Sequence, residues 1–160
     1  MRDAGDRPRP RRQEHKEKGN DKMNKKAKGS GREAKAARKG EHKIFVYGTL
    51  LTGERNARWA GKAKREGAWA TGTLHDTGWG YPAFTPEGKT KIVGEVLTAT
   101  DEQFRSMDYL EGYPQFYSRE QIQVNLVGGG CVLAWVYILK CLPVGAKVIA
   151  NGDWRRRNEA

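Results

Sequence analysis

The sequence predicts an α+β domain in which a strongly curved sheet or small barrel of about five to six strands packs against one or two helices. Short apolar or alternating runs, several joined by hairpin-like turns, recur between residues 44 and 139. A single clear helical pattern with its own start and stop signals falls between the third and fourth of them. No internal repeat accompanies this pattern.

In chain order, Ile44-Phe45-Val46-Tyr47 is an apolar run ended by Gly48, as in a strand buried on both faces. Trp59 and Ala60 lie on a short helical stretch after Gly53. Residues 64–74 read as a second strand, broken by Gly67 and Gly72 and closed by the polar turn His75-Asp76-Thr77-Gly78. Trp79-Gly80-Tyr81-Pro82-Ala83-Phe84 reads as an aromatic loop shaped by Gly and Pro, and residues 91–97 as a third strand. Thr100 is placed as a helix N-cap with Gln103 completing a capping box, and Asp101 and Glu102 suit the positive end of the helix dipole. The helix is expected to end near Glu111, at Gly112, with Pro114 beyond it. Residues 116–126 alternate as a half-exposed strand, Val127-Gly128-Gly129-Gly130 forms a turn, and the apolar residues 131–139 return as the second arm of a hairpin.

Charge divides the chain. The formal net charge is +11, yet residues 1–40 hold 15 Lys/Arg against 6 Asp/Glu, which leaves the rest at only +2. Those forty residues contain no Ile, Leu, Val, Phe, Trp or Tyr, so they cannot offset their own ordering entropy. Residues 1–41 are therefore expected to be a disordered basic tail and residues 42–160 the folded domain. Weak, salt-sensitive contact with nucleic acid is expected to reside in the tail. The tail lacks the apolar stretch of a signal peptide, no run reaches membrane-spanning length, and Met23 is an alternative starting residue. Cys131 and Cys141 lack metal-ligand spacing and read as buried thiols in preference to a disulfide, in keeping with a cytoplasmic location.

Two features could carry chemistry. Phe104, Met107 and Leu110 form one apolar helix stripe, and Glu111 projects between Phe104 and Met107, which aims a carboxylate at the core. Burial and the negative end of the helix would both raise its pKa toward the range useful for proton transfer. The alternative is that the helix frays and the side chain turns to solvent. Asp108, nearer the edge of the stripe, is expected to matter far less. The second feature is Tyr47-Gly48-Thr49-Leu50, where consecutive N–H groups could form an anion-binding nest with the Thr49 hydroxyl as a further donor; the alternative is a plain structural turn. His15, His42 and His75 lie in the tail, before the first strand and in a turn, so no nucleophile motif assembles around a His. No clustered metal-ligand set or phosphate-binding loop is present in the sequence, so no metal and no cofactor is expected.

The segments Phe45-Val46-Tyr47-Gly48-Thr49-Leu50, Gly80-Tyr81-Pro82-Ala83, Val93-Gly94-Glu95-Val96, Met107-Asp108-Tyr109-Leu110-Glu111-Gly112-Tyr113-Pro114, Tyr117 with Arg119, Ala134-Trp135-Val136-Tyr137 and Gly152-Asp153-Trp154 occur in an order that resembles the gamma-glutamylcyclotransferase-like family. The likeness is to its gamma-glutamylamine cyclotransferase, avirulence-induced-gene-like branch, and covers nearly all of residues 43–154. It implies a small mixed β-barrel flanked by helices, a substrate cradled by Tyr47, Gly48, Thr49 and Leu50, and Glu111 as general acid/base. Tyr81 and Tyr117, within two of the matching segments, join the turn as expected substrate-contacting residues. The implied reaction is closure of a γ-glutamyl group to 5-oxoproline with loss of an amine or amino acid, and it needs no enzyme nucleophile. The departures are the basic tail and Met107 in place of a usual leucine. The competing function is a non-catalytic small-molecule or polyanion-binding module on the same fold, with a nucleic-acid-binding tail.

Overall fold

The computed structural model describes residues 37–159. The basic tail lies outside the described residues as far as residue 36, together with any nucleic-acid contact it makes. Residues 37–40 are exposed, and the Glu41 N–H donates to the Arg38 carbonyl at 2.9 Å as the first strand begins.

Six strands follow: β1 (Glu41–Val46), β2 (Lys64–Asp76), β3 (Pro82–Thr100), β4 (Tyr117–Leu126), β5 (Cys131–Leu139) and β6 (Lys147–Val148). Helix α1 (Asp101–Glu111) lies between β3 and β4, and short 3-10 turns occupy Ala57–Ala60 and Trp154–Arg156. The pairing order is β3-β1-β5-β4-β2-β6, and β2 also pairs with β3, so the first five strands close on themselves. All pairs are antiparallel except β1 with β5, where Ile44 meets Trp135 and Phe45 meets Val136. The result is a closed five-stranded mixed barrel with β6 as an appended sixth strand. Closure removes the sheet edges that would otherwise need protection.

The interior is filled by inward positions of each strand, among them Ile44, Phe45, Phe84, Ile92, Leu97, Val124 and Val136. Trp154 buries its indole in the same cluster, and the Gly152 carbonyl accepts from Val93 N–H at 2.9 Å, tying the chain's last turn to β3. Burying a large apolar side chain contributes about 1.5–3 kcal/mol, so this C-terminal plug is a substantial part of the core.

Three sequence readings change. Pro82, Ala83 and Phe84 belong to β3, opposite Asp76, His75 and Leu74, so the aromatic loop is shorter than expected. Proline is tolerated there because it opens the strand. His75 and Asp76 are likewise strand residues rather than turn residues, and pair with Val148 and Lys147 of β6. The register jumps from Thr73↔Thr85 to Gly72↔Thr90, and this irregularity is why one 19-residue strand reads as a loop plus a separate strand. Of the two cysteines, Cys131 is buried as expected and Cys141 is exposed.

Helix α1 follows its local signals closely. Gln103 N–H donates to the Thr100 hydroxyl while the Gln103 side chain accepts from Thr100 N–H, and both bonds of the capping box are present. Gly112 ends the helix in the left-handed region at φ 61°, which glycine adopts without a side-chain penalty. Phe104 and Met107 are buried beneath it. No helix among the described residues is long and apolar enough to cross a membrane.

Candidate active site

Where β1 runs out at Val46, the chain enters the barrel mouth. Tyr47 turns its ring into the core against Phe84, 5.5 Å between centroids, and its hydroxyl donates to the Tyr137 carbonyl at 2.7 Å. Gly48 then presses against Pro82 so closely that any Cβ would collide with the proline ring. The turn is fixed by Leu51 N–H to the Gly48 carbonyl at 3.0 Å, and by Asn56, whose N–H and side-chain amide donate to the Thr49 carbonyl at 3.0 Å and hydroxyl at 3.1 Å. The N–H groups of Gly48, Thr49 and Leu50 donate to no acceptor among the described residues. Three consecutive unspent donors at a turn are the raw material of an anion-binding nest.

Glu111 arrives from the other side, as the last residue of α1. Its carboxylate makes no hydrogen bond or ion pair among the described residues, and burial pushes its pKa up to about 7. The turn and the glutamate line one small pocket, with Tyr81, Pro82, Tyr117 and Tyr137 among the residues completing its wall. All seven residues singled out from sequence, Tyr47, Gly48, Thr49, Leu50, Tyr81, Glu111 and Tyr117, therefore meet in one place.

Three buried hydroxyls surround the carboxylate. Burial, then a neighbouring tyrosine and the charge of Glu111, raise the pKa of Tyr47; burial and then Glu111 raise that of Tyr117. Burial, with the Asp108 carboxylate and more weakly Glu111, raises that of Tyr137. All three are neutral donors at physiological pH. Tyr47 and Tyr137 are committed to short bonds of 2.7 Å each, whereas Tyr117 reaches only the Pro82 carbonyl at 3.4 Å, which leaves its proton available to a ligand.

Tyr137 is the pocket residue that the sequence reading missed as a site residue. The signal lay in Ala134-Trp135-Val136-Tyr137, an apolar strand run in which a tyrosine suggests core packing more readily than a pocket wall. The expectation for Asp108 also changes. It accepts from Tyr137 Oη at 2.7 Å and from Arg119 at 3.0 Å, and the Arg119 guanidinium stacks 3.9 Å over the Tyr113 ring and 4.4 Å over Phe104. Asp108 thus supports a pocket wall and is no neutral neighbour of Glu111. Among the described residues, no group of three or more His, Cys, Asp or Glu side chains is placed to hold a metal ion.

Comparison with known proteins places this geometry. A family model described as "Gamma-glutamyl cyclotransferase, AIG2-like" matches residues 44–156. The chain is 35% identical over 103 residues to the gamma-L-glutamyl-butirosin B gamma-glutamyl cyclotransferase of Niallia circulans, spanning 59% of this chain and 65% of that protein. It is 29% identical over 119 residues to the gamma-glutamylcyclotransferase family protein YtfP of Escherichia coli strain K12, spanning 73% of this chain and 99% of YtfP. The crystal structure of PH0828 from Pyrococcus horikoshii superposes with a TM-score of 0.58 at 25% identity, over 73% of this chain and 92% of that one.

Proposed function

Because the chain belongs to the gamma-glutamyl cyclotransferase, AIG2-like family, we propose that it cyclises a γ-glutamyl group to 5-oxoproline and releases an amine or amino acid, an acyl transfer of lyase type. The observation that carries this reading is the pairing, in one small pocket, of an unpartnered carboxylate titrating at about 7 with three unspent backbone donors.

The substrate α-carboxylate lies against the N–H groups of Gly48, Thr49 and Leu50. This sets the α-ammonium beside Glu111, which takes a proton from it. The freed amine attacks the γ-carbonyl of its own side chain, forming the ring C–N bond, and the scissile C–N bond breaks as the tetrahedral intermediate collapses. Glu111 returns its proton to the departing nitrogen, then takes the second proton from the ring nitrogen and passes it to the released amine. Of the three ammonium protons, one stays on the ring nitrogen and two end on the released amine, which leaves as an ammonium ion. Tyr117 supplies the donor nearest to being free for the oxygen that gains charge in the intermediate. Because nucleophile and electrophile belong to one molecule, the protein contributes mainly orientation and proton transfer.

Incubation with γ-glutamyl amino acids, γ-glutamyl amines and γ-glutamyl-ε-lysine, followed by assay for 5-oxoproline, tests the proposal. Release from at least one member of the panel is expected. Failure to release it from any of them would leave a binding module on this fold as the better reading.

A further inference from the structure

The pocket opens outward into a second groove, which shares Thr49, Tyr81, Glu111 and Tyr117 with it and adds walls from Arg55, Tyr109, Leu110, Phe116 and Leu139. Glu111 is the only carboxylate on these walls. Arg55 makes no ion pair or hydrogen bond among the described residues, and its guanidinium lies across the backbone of Gly80, where an added Cβ would come 3.2 Å from Nη1. The groove therefore carries a positive charge without an ion-pair partner at the edge of the Tyr81 loop. Two of its lining residues are exposed aromatics. Tyr109 is 80% and Phe116 71% exposed, Tyr109 rests 6.2 Å from the Trp59 ring, and Phe116 is packed against Gly112, next to Glu111. Exposed rings along a groove are apolar surface that a ligand can cover.

We infer that this groove is a leaving-group subsite selecting substrates whose departing nitrogen carries a carboxylate and an apolar or aromatic side chain, with Arg55 as the residue that reads the carboxylate. The inference rests on the cyclotransferase reading for the position of the scissile bond. If the inner pocket holds the γ-glutamyl group and Glu111 delivers a proton to the departing nitrogen, what is attached to that nitrogen lies on the groove side of Glu111. There it meets Arg55 and the two exposed rings, which line the same groove. An α-amino acid satisfies both, a plain amine leaves Arg55 unpaired, and a cationic amine is repelled by it.

Calorimetric titration in the Glu111→Gln background, where turnover is suppressed, tests this with three ligands: γ-glutamyl-L-phenylalanine, γ-glutamyl-phenethylamine and γ-glutamyl-putrescine. The first is expected to bind about three- to tenfold more tightly than the second, the gain of one charge-assisted contact in a partly open site, and the third most weakly. Adding Arg55→Gln, an exposed substitution, should bring the first two within about twofold of each other by weakening only the amino-acid ligand. Equal binding of the first two before that change, tighter binding of the cationic ligand, a preference that survives Arg55→Gln, or no binding of any of the three would each overturn the inference. A wild-type protein that makes no 5-oxoproline while the Arg55-dependent preference persists would sink the cyclotransferase reading and leave the subsite standing.

Discussion

Two glutamates of this small barrel, Glu95 on β3 and Glu111 at the end of α1, are both drawn away from water and behave in opposite ways. Burial alone would hold the Glu95 proton on, but Arg65 at 2.8 Å, the Thr52 N–H and hydroxyl and Arg155 at 3.1 Å together outweigh it and lower its pKa. Glu111 has no such partner, and burial raises its pKa to about 7. Partners, more than depth, decide which carboxylate is a fixed ion and which can exchange a proton. The two are connected, since Arg65 also donates to the carbonyls of Leu50 at 2.9 Å and Ala57 at 3.0 Å. The fixed ion thus braces the back of the turn whose front faces the exchanging one.

Glu111→Gln should give the largest effect. It keeps the size of the side chain and removes its proton chemistry, so 5-oxoproline formation should fall by about 10²- to 10⁴-fold with the fold intact. The wild-type rate should rise with pH through about 7, where Glu111 becomes a base, and this limb should vanish in the variant. Retention of near-normal turnover would mean that the proton is carried elsewhere.

Glu95→Gln should act on stability first. It leaves the partly buried Arg65 and the exposed Arg155 without their counter-charge, and about 2–4 kcal/mol of unfolding free energy should be lost, mostly through Arg65. Denaturant unfolding at neutral pH reads this directly, and a change below about 0.5 kcal/mol would place the bracing elsewhere. Because the Glu95 pKa is depressed, its stabilisation is present above the usual glutamate range and is lost as pH falls through the lowered value.

The smallest expected effect is a gain. The Glu111 pKa rises on folding, so its contribution is fully present below about 4.5 and is lost as pH rises through about 7. Above pH 8, Glu111→Gln should therefore be more stable than the wild type by on the order of 1–3 kcal/mol, and the advantage should fade toward pH 5. A pH-independent difference would show that the carboxylate is well solvated in the folded state.

The elements governed by local signals were legible in the sequence. Helix α1 carries its start at Thr100 and its stop at Gly112, and the stripe of Phe104 and Met107 aims Glu111 inward without knowledge of what it faces. The turn after Val46 is equally local, since an apolar run meets a glycine. Pairing across the chain was not legible. The two-residue β6 has no pattern of its own, and the extra residues between Thr85 and Thr90 hide the continuity of β3. Glu95 and Arg65 look like ordinary outward positions on alternating strands until Arg155, sixty positions from Glu95, is brought beside them. Arg55 carries no signal at all in a polar stretch, because its meaning depends on the absence of a partner.

The parallel pairing of β1 with β5 also sets an order of events for the newborn chain. The Tyr47 hydroxyl and the Tyr137 carbonyl that receives it are 90 residues apart. At a synthesis rate of about 5–20 residues per second, the cradle strand waits roughly 5–18 s for the strand that completes its pocket. The β2–β3 hairpin and the antiparallel partner of β1 are made within that interval, so most of the barrel wall can assemble first. The pairing of β5 with β1 spans the longest stretch of chain of any strand pair and so closes against the greatest chain entropy. Affinity for a γ-glutamyl ligand should then appear only once that pairing has formed, and serve in refolding as a report of it.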